Sequence, residues 1–486
     1  MPHLSATRLF PVLVLLACGL LLPAVLEIWL TGFGWHDQQR VFQLVILAFC
    51  AFLIVVPGFK IHLLPQPALL LLACILLLGL CSTAFSEHPT WALKEWGRYA
   101  GLLLLALAIS CSARSVWFFR AVLYLLCAIA VLNAFQFAML YAMAFISGIF
   151  MFKADVFFTG FTNVRFLNQF QMLLMPVLAW ASLYHWQASQ RYSRLLAVLL
   201  FTTLLVHWCI AFSLGSRGLW LGLAAAHIAL LLFFPRFWRQ LALQAAAGIL
   251  GFLLYQLLFF VIPEWLGQEA SLRSSMRFGL SKRDVIWQTA WDMFKANPWL
   301  GIGPMHFSAN VTSYAAHPHQ VILQWLAEWG VFATVAACTL AVWGMLHGIR
   351  FLRGKSAEPI DAALWLSIGG ALVLAQVDGV FVIPYTETWL AILAGLAMAR
   401  WSDKATIAGA GNRQLLPERL QGYSYKALAV AVILILGNVL INETSTLPQD
   451  SQYHMEKHGT GYTPRFWMQG WIPMEKAPQE LPQQGE

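Results

Sequence analysis

Charge is scarce in this chain. Of its 486 residues only 11% are Asp, Glu, Lys or Arg, less than half of the quarter or so that soluble domains carry. That shortage excludes an ordinary soluble enzyme, a disordered chain and a nucleic-acid binder. There is no Gly-rich phosphate loop, no paired carboxylates, no nucleotide-binding motif and no internal repeat. Disulfide and metal signatures are also missing. Cys18, Cys50, Cys74, Cys81, Cys127, Cys209 and Cys338 lie inside apolar runs and Cys111 ends one, so all eight read as small core residues.

What is abundant is apolar surface: 60% of the residues are hydrophobic and 14% aromatic. A helix crossing a hydrocarbon core needs about 20 apolar residues. On that rule spans fall near 9–30, 41–58, 65–85, 99–112, 119–142, 169–187, 195–214, 218–234, 241–262, 319–349, 362–382, 388–400 and 427–442. The expected fold is therefore all-α and polytopic, with about 12–13 transmembrane helices. The first run follows Arg8, continues to about Leu30 without a small-residue cleavage site, and reads as a retained span. Between Arg194 and Arg236 one helix would be about 60 Å long, twice the core thickness. The chain must fold back there, and Gly215-Ser216-Arg217-Gly218 supplies the turn.

Loop cations give the orientation. With the N-terminus in the cytoplasm, the inner segments hold Arg8, Lys60, Arg114, Arg191, Arg194, Arg236, Arg239, Arg350, Arg353, Lys355, Arg400, Lys404, Arg413, Arg419 and Lys426. The outer loops hold fewer: Arg40, Lys94, Arg98, Lys153, Arg165 and Arg217. The net charge of +8 then reads as loop arginines facing anionic headgroups. Four regions follow: helices over 1–262, an outer loop over 263–318, helices over 319–442, and a tail over 443–486.

In the outer loop, Trp287, Ala290, Trp291 and Phe294 share one helical face, which favours lying in the membrane interface. Ser281 with Asp284 resembles a capping box, and Asn297-Pro298 stops the helix. The tail, with Pro448, Pro464, Pro473, Pro478 and Pro482 among many polar residues, reads as unfolded or loosely packed.

Few residues can carry chemistry. Arg217 sits in a turn at the outer membrane edge, where it equally fits snorkelling to headgroups and a planar fork offered to a phosphate. Lys282 and Arg283 begin the interfacial helix, where cations are unfavourable unless an anion arrives. His317 and His319 flank Pro318 as the chain re-enters the membrane. Two histidines without acidic or cysteine partners make a thin metal site. They fit a loop hydrogen bond or, more sharply, a general base for a hydroxyl. Asn168-Gln169-Phe170-Gln171, Asp378-Gly379 and Pro384-Tyr385-Thr386-Glu387 border spans, where polar groups line sites or bond helices together.

Three stretches taken together resemble the O-antigen ligase superfamily, which includes lipopolysaccharide O-antigen ligases, O-antigen polymerases and bacterial protein O-oligosaccharyltransferases. They are Ser216-Arg217-Gly218-Leu219-Trp220-Leu221-Gly222; Arg283 to Trp287 with Asn297-Pro298-Trp299-Leu300-Gly301-Ile302-Gly303; and His317-Pro318-His319-Gln320 with Glu328-Trp329-Gly330. The resemblance covers about 165–395. Gln320 stands where the family more often shows Asn.

The resemblance implies a glycosyltransferase in the bacterial inner membrane, with its site facing the periplasm. Its donor would be a glycan on undecaprenyl diphosphate, used without nucleotide sugar, metal or other cofactor. Arg217 and Arg283 would hold the diphosphate and His319 would be the base. Gln169 and Tyr385 resemble polar positions of the protein-glycosylating branch, and Lys282 and His317 are expected beside the substrate. Arg165 to Gln171 and Asp378 to Tyr385 look more like the pilin-glycosylating enzymes, whose acceptor is a Ser or Thr of an exported protein. The alternatives are transfer to lipid A–core, glycan polymerisation, or transport of a lipid-linked glycan.

Overall fold

A computed structural model describes residues 6–25, 32–57, 59, 61, 64–147, 156–188, 190–268, 282–310, 314–401, 417–459 and 463–478. Among them the regular structure is helical: α1 (Ala6–Val25), α2 (Trp35–Val55), α3 (Gln66–Ala84), α4 (Pro89–Ser112), α5 (Val116–Ile146), α6 (Val164–Gln187), α7 (Arg191–Ser213), α8 (Arg217–Phe233), α9 (Trp238–Gln256), α10 (Arg283–Ala296), α11 (Val321–Arg353), α12 (Pro359–Leu374), α13 (Pro384–Trp401), α14 (Glu418–Asn442) and α15 (Leu447–His458). A π-helical turn, Leu257–Val261, carries α9 on into Ile262–Trp265. Among the described residues eight helices are long and apolar enough to cross a membrane, and three shorter apolar helices join them. The chain is an all-α polytopic membrane protein.

The bundle is built around α6. Its apolar window is 94% buried, because Met172 to Ala181 is apolar on every side and finds neighbours all round. Helices α5, α7, α8, α9, α12 and α13 pack against it. The fold-back after Arg194 occurs where expected: α7 ends at Ser213 and α8 begins at Arg217.

Several expectations need correction. The runs near 41–58 and 99–112 belong to helices that begin earlier, at Trp35 and Pro89. Arg40 and Arg98 therefore lie inside α2 and α4 as buried, ion-paired groups rather than in outer loops. Opposite charges from other helices let those helices continue past the end of the apolar run. Cys50, Cys111, Cys127 and Cys209 are buried, but Cys18, Cys74 and Cys81 sit on exposed faces.

Among its described residues, 443–459 and 463–478, the tail is folded rather than loose. It forms α15, and then Phe466 and Trp467 become almost fully buried. Met468 N–H donates to Asp37 Oδ1 at 2.6 Å and Trp467 Nε1–H to Glu443 Oε2 at 2.9 Å. Its partners are far away in sequence, so composition alone misjudged it.

Helix α10 is also turned from its expected face. Ile286 and Ala290 are buried with Phe307, Ala315 and Ala327, while Trp291 is exposed. Docking on protein selects the Ile286–Ala290–Met293 stripe. Lys282, not Ser281, is the N-cap, and Ser281 lies outside the described residues. The helix does stop at Asn297, its C-cap.

Candidate active site

Three arginines occupy the first turns of three helices. The Asn163 side chain caps α6 by accepting from Arg165 N–H at 3.0 Å, Arg217 is the first residue of α8, and Arg283 is the first of α10. A helix N-terminus carries partial positive charge, so each cation opposes its own helix dipole. Burial pushes the Arg283 guanidinium below its usual range; Asp378 opposes that shift, and the like charges of Arg165 and Arg217 add to it. The three helix starts thus bring Arg165 and Arg217 within electrostatic reach of Arg283.

Beside them lies a polar pocket of about 140 Å³, lined by Arg165, Gln169, Tyr314, His317, His319, Asp378 and Thr463 among others. That volume suits a phosphate-sized group better than an oligosaccharide. Arg217 and Arg283 do not line it. Lys282 stands at the rim, its ammonium 3.6 Å from the Tyr314 ring centre.

The histidine segment is held from both sides. Trp287 Nε1–H donates to Pro318 O at 3.0 Å, tying α10 to it. Gln320 is the N-cap of α11: its Oε1 accepts from Leu323 N–H at 2.5 Å and its Nε2 donates to Gln376 at 3.1 Å. Gln320 therefore does the capping work that an Asn does at such positions. Between these anchors His319 adopts a left-handed backbone, φ 55°, a strain of the kind that collects at functional sites.

The two imidazoles stand 4.0 Å apart, centre to centre. His317 Nδ1 accepts from His319 N–H at 3.2 Å, which leaves the proton of the neutral ring on Nε2. Burial first, then His319 and nearby arginines, push His317 well below 6.5, so it stays neutral. His319 Nδ1 lies 3.7 Å from Asp378 Oδ1 and has no hydrogen-bond partner among the described residues. At that distance the pair attracts without a formed hydrogen bond. Burial raises the Asp378 carboxyl, but His319, Arg165 and the Gly379 N–H together hold it below its usual value and ionised.

The polar stretch opening α6 divides into two roles. Asn168 donates to Gln171 at 2.9 Å and Gln171 to His207 O at 2.9 Å, bonding α6 to α7. Gln169 is 1% exposed, faces the pocket, and neither of its amide atoms has a partner among the described residues. Tyr385 is not part of this pocket. Its hydroxyl donates to Leu20 O at 2.8 Å, between the rings of Phe161 and Phe170.

Two further motifs lock together through backbone. Gly330 breaks α11 with φ 77°. Into the break fits the turn after α10: Ile302 N–H donates to Ala327 O at 2.9 Å, Gly303 N–H to Glu328 O at 3.1 Å, and Val331 N–H to Pro298 O at 2.9 Å. A Cβ on Gly330 would come 2.2 Å from Trp299 O, and one on Gly301 2.4 Å from Glu328 C. Only glycine permits that approach.

The break aims Glu328 into a buried charge network that sequence reasoning missed. Arg465 reaches Glu328 at 2.6 Å and Glu95 at 3.1 Å; Arg98 forks onto Glu95 at 2.7 and 2.8 Å and also pairs with Glu387; Arg40 meets Glu387 at 2.5 Å. Isolated charges inside apolar helices were the available signal. For Arg165 the signal was the one applied to Arg283, a cation in a helix's first turn.

Residues 196–338 match the family model described as O-antigen ligase. No curated protein matches the chain. The matched segment contains Arg217, Arg283, His317 and His319, and leaves Arg165, Gln169 and Asp378 outside. Residues 196–338 of this all-helical, multi-pass membrane chain are thus similar to the O-antigen ligase family.

Proposed function

We propose that this protein is a protein O-oligosaccharyltransferase, moving a glycan from undecaprenyl diphosphate to a Ser or Thr hydroxyl of an exported protein such as a pilin, at the periplasmic face of the inner membrane. The family match supports glycan transfer of the ligase type. One observation carries the site: Arg165 lines the pocket of the His319–Asp378 pair, and Arg283, in another helix's first turn, lies within electrostatic reach of Asp378, Arg165 and Arg217.

In the transfer step the acceptor oxygen attacks the anomeric carbon as the bond from that carbon to the phosphate oxygen breaks. His319 takes the hydroxyl proton, and the electron pair leaves on undecaprenyl diphosphate. Asp378 orients the imidazole and stabilises its cation, as a third group does for other activated nucleophiles. The arginines stabilise charge on the leaving diphosphate, more strongly in a partly dry site than in water. Gln169 supplies two unspent hydrogen-bonding atoms for a sugar or phosphate. An apolar groove of about 2070 Å³ along α3, α4 and α11 to α13 begins at Val321 and Gln376, beside Gln320, and suits the polyprenyl chain. Attack opposite the leaving group inverts the anomeric centre.

A transfer assay in membranes tests this, with lipid-linked glycan and either pilin or lipid A–core offered as acceptor. His319→Ala is expected to lose roughly 100- to 10,000-fold in rate, and glycosylated pilin is the expected product. Product on lipid A–core would instead make the protein a ligase, and an elongated lipid-linked glycan a polymerase. Full transfer by His319→Ala would remove the base, and a retained anomer would exclude one-step displacement.

A further inference from the structure

Helix α15 and the segment after it carry a second cluster of ligand-type side chains, apart from the pocket. His454 and His458 are four residues apart, so they share one helix face, with ring centres 4.8 Å apart. Both aim at Glu475: His454 Nδ1 lies 3.0 Å from Oε2, and His458 Nε2 lies 2.9 Å from it. One ligand atom from each residue can be chosen so that all lie within 4.8 Å of one another. A tetrahedral zinc site with bonds of about 2.0–2.2 Å needs ligand atoms about 3.3 Å apart, a small rotation away for side chains that are partly exposed.

The carboxylate is held in place beforehand. Glu475 N–H donates to Gln469 Oε1 at 2.6 Å, and Gln469 Nε2–H donates back to Glu475 O at 3.2 Å. Next to it Ala477 N–H donates to Asp450 Oδ1 at 2.8 Å, and Lys476 pairs with Asp450 at 2.7 Å. His454, Lys457 and His458 all converge on the Glu475 carboxylate at 2.9 to 3.0 Å. The competing cation is Lys457, whose ammonium lies 3.0 Å from Oε1 and whose side chain is 52% exposed. It can swing into water, whereas the two imidazoles cannot leave their helix face.

We propose that His454, His458 and Glu475 bind one divalent ion of the zinc class, with water completing the shell. Two imidazoles and one carboxylate match the preference of Zn²⁺. The ion clasps α15 to residues 463–478. That segment delivers Arg465 to the buried charge network and Thr463 to the pocket wall. The role is structural: the ion fixes the last wall of the site and takes no part in transfer.

The test uses the full chain, untagged and stripped of metal in detergent, titrated with Zn²⁺ against a chromophoric chelator and with Co²⁺ by visible absorbance. One ion per chain is expected, bound more tightly than about 1 µM, with a raised melting temperature. His458→Ala, at an exposed position, and Glu475→Gln each weaken binding by at least about tenfold and abolish the zinc-dependent rise in melting. His319→Ala leaves both unchanged. Wild type without an ion of that affinity, or His454→Ala and His458→Ala binding as wild type does, would overturn the proposal. So would loss of the ion in His319→Ala alone.

Discussion

Two polar assemblies lie close together in this bundle and are built on opposite plans. In the first, the guanidiniums of Arg40, Arg98 and Arg465 face the carboxylates of Glu95, Glu328 and Glu387, and each carboxylate bonds at least one arginine. The second gathers Arg165, Arg217, Arg283, Asp378 and two histidines, and leaves both Gln169 amide atoms and His319 Nδ1 without partners among the described residues. A matched set of buried ions holds a fold together. A set with unspent polar atoms and mutually repelling cations is arranged for a ligand. The first set is almost fully buried, whereas in the second Arg217 is exposed and Arg165, Arg283, His319 and Asp378 are half-buried; burial and the balance of partners together separate the two.

The comparison can be broken first at Glu387. Glu387→Gln removes the carboxylate that Arg40 and Arg98 share, leaving buried charge uncompensated, at a cost of about 3–5 kcal/mol. A large fall in melting temperature or failure to recover folded protein is expected; an unchanged melt would deny the network its structural role. Next in size is Arg283→Ala. It removes a cation that Arg165 and Arg217 repel, so the melt should hold while transfer falls roughly 100- to 1,000-fold. Destabilisation equal to that of Glu387→Gln would erase the distinction drawn here.

The smallest effect concerns pH. His317 is buried as a neutral base held well below 6.5, and His306 is lowered in the same direction, first by burial. In the unfolded chain these imidazoles take up protons below about pH 6.5, whereas in the folded state they do not. Stability should therefore fall as pH drops below about 6.5, by at most about 1.4 kcal/mol per pH unit for His317. Melting temperatures at several pH values in wild type and His317→Gln check this, and an equal slope in both would contradict it.

Much of the architecture was legible along the chain. The fold-back before Arg217, the stop at Asn297 and the placing of His319 just ahead of a helix are set by turn formers, breakers and apolar runs, whose signals span a few residues. Arg283 was legible too, since a cation in a helix's first turn conflicts with the dipole locally. The same rule would have found Arg165, whose helix begins inside what read as a loop.

The remaining errors share one cause. Arg40 counted as a loop charge because its partner Glu387 lies 347 positions away. The tail read as loose because Arg465 meets Glu328 at a separation of 137. The Tyr385 hydroxyl turns to Leu20, 365 positions away, a contact no local pattern signals. Hydropathy, helix length and turn chemistry are local quantities, so the sequence by itself determined a helical membrane bundle and its principal breaks. Which buried charges are matched, which face of α10 is covered and which polar groups stay unspent depend on contacts between distant segments. Those the tertiary structure alone decided, because a charge in a low-dielectric interior takes its meaning from whatever the fold brings within a few ångströms of it.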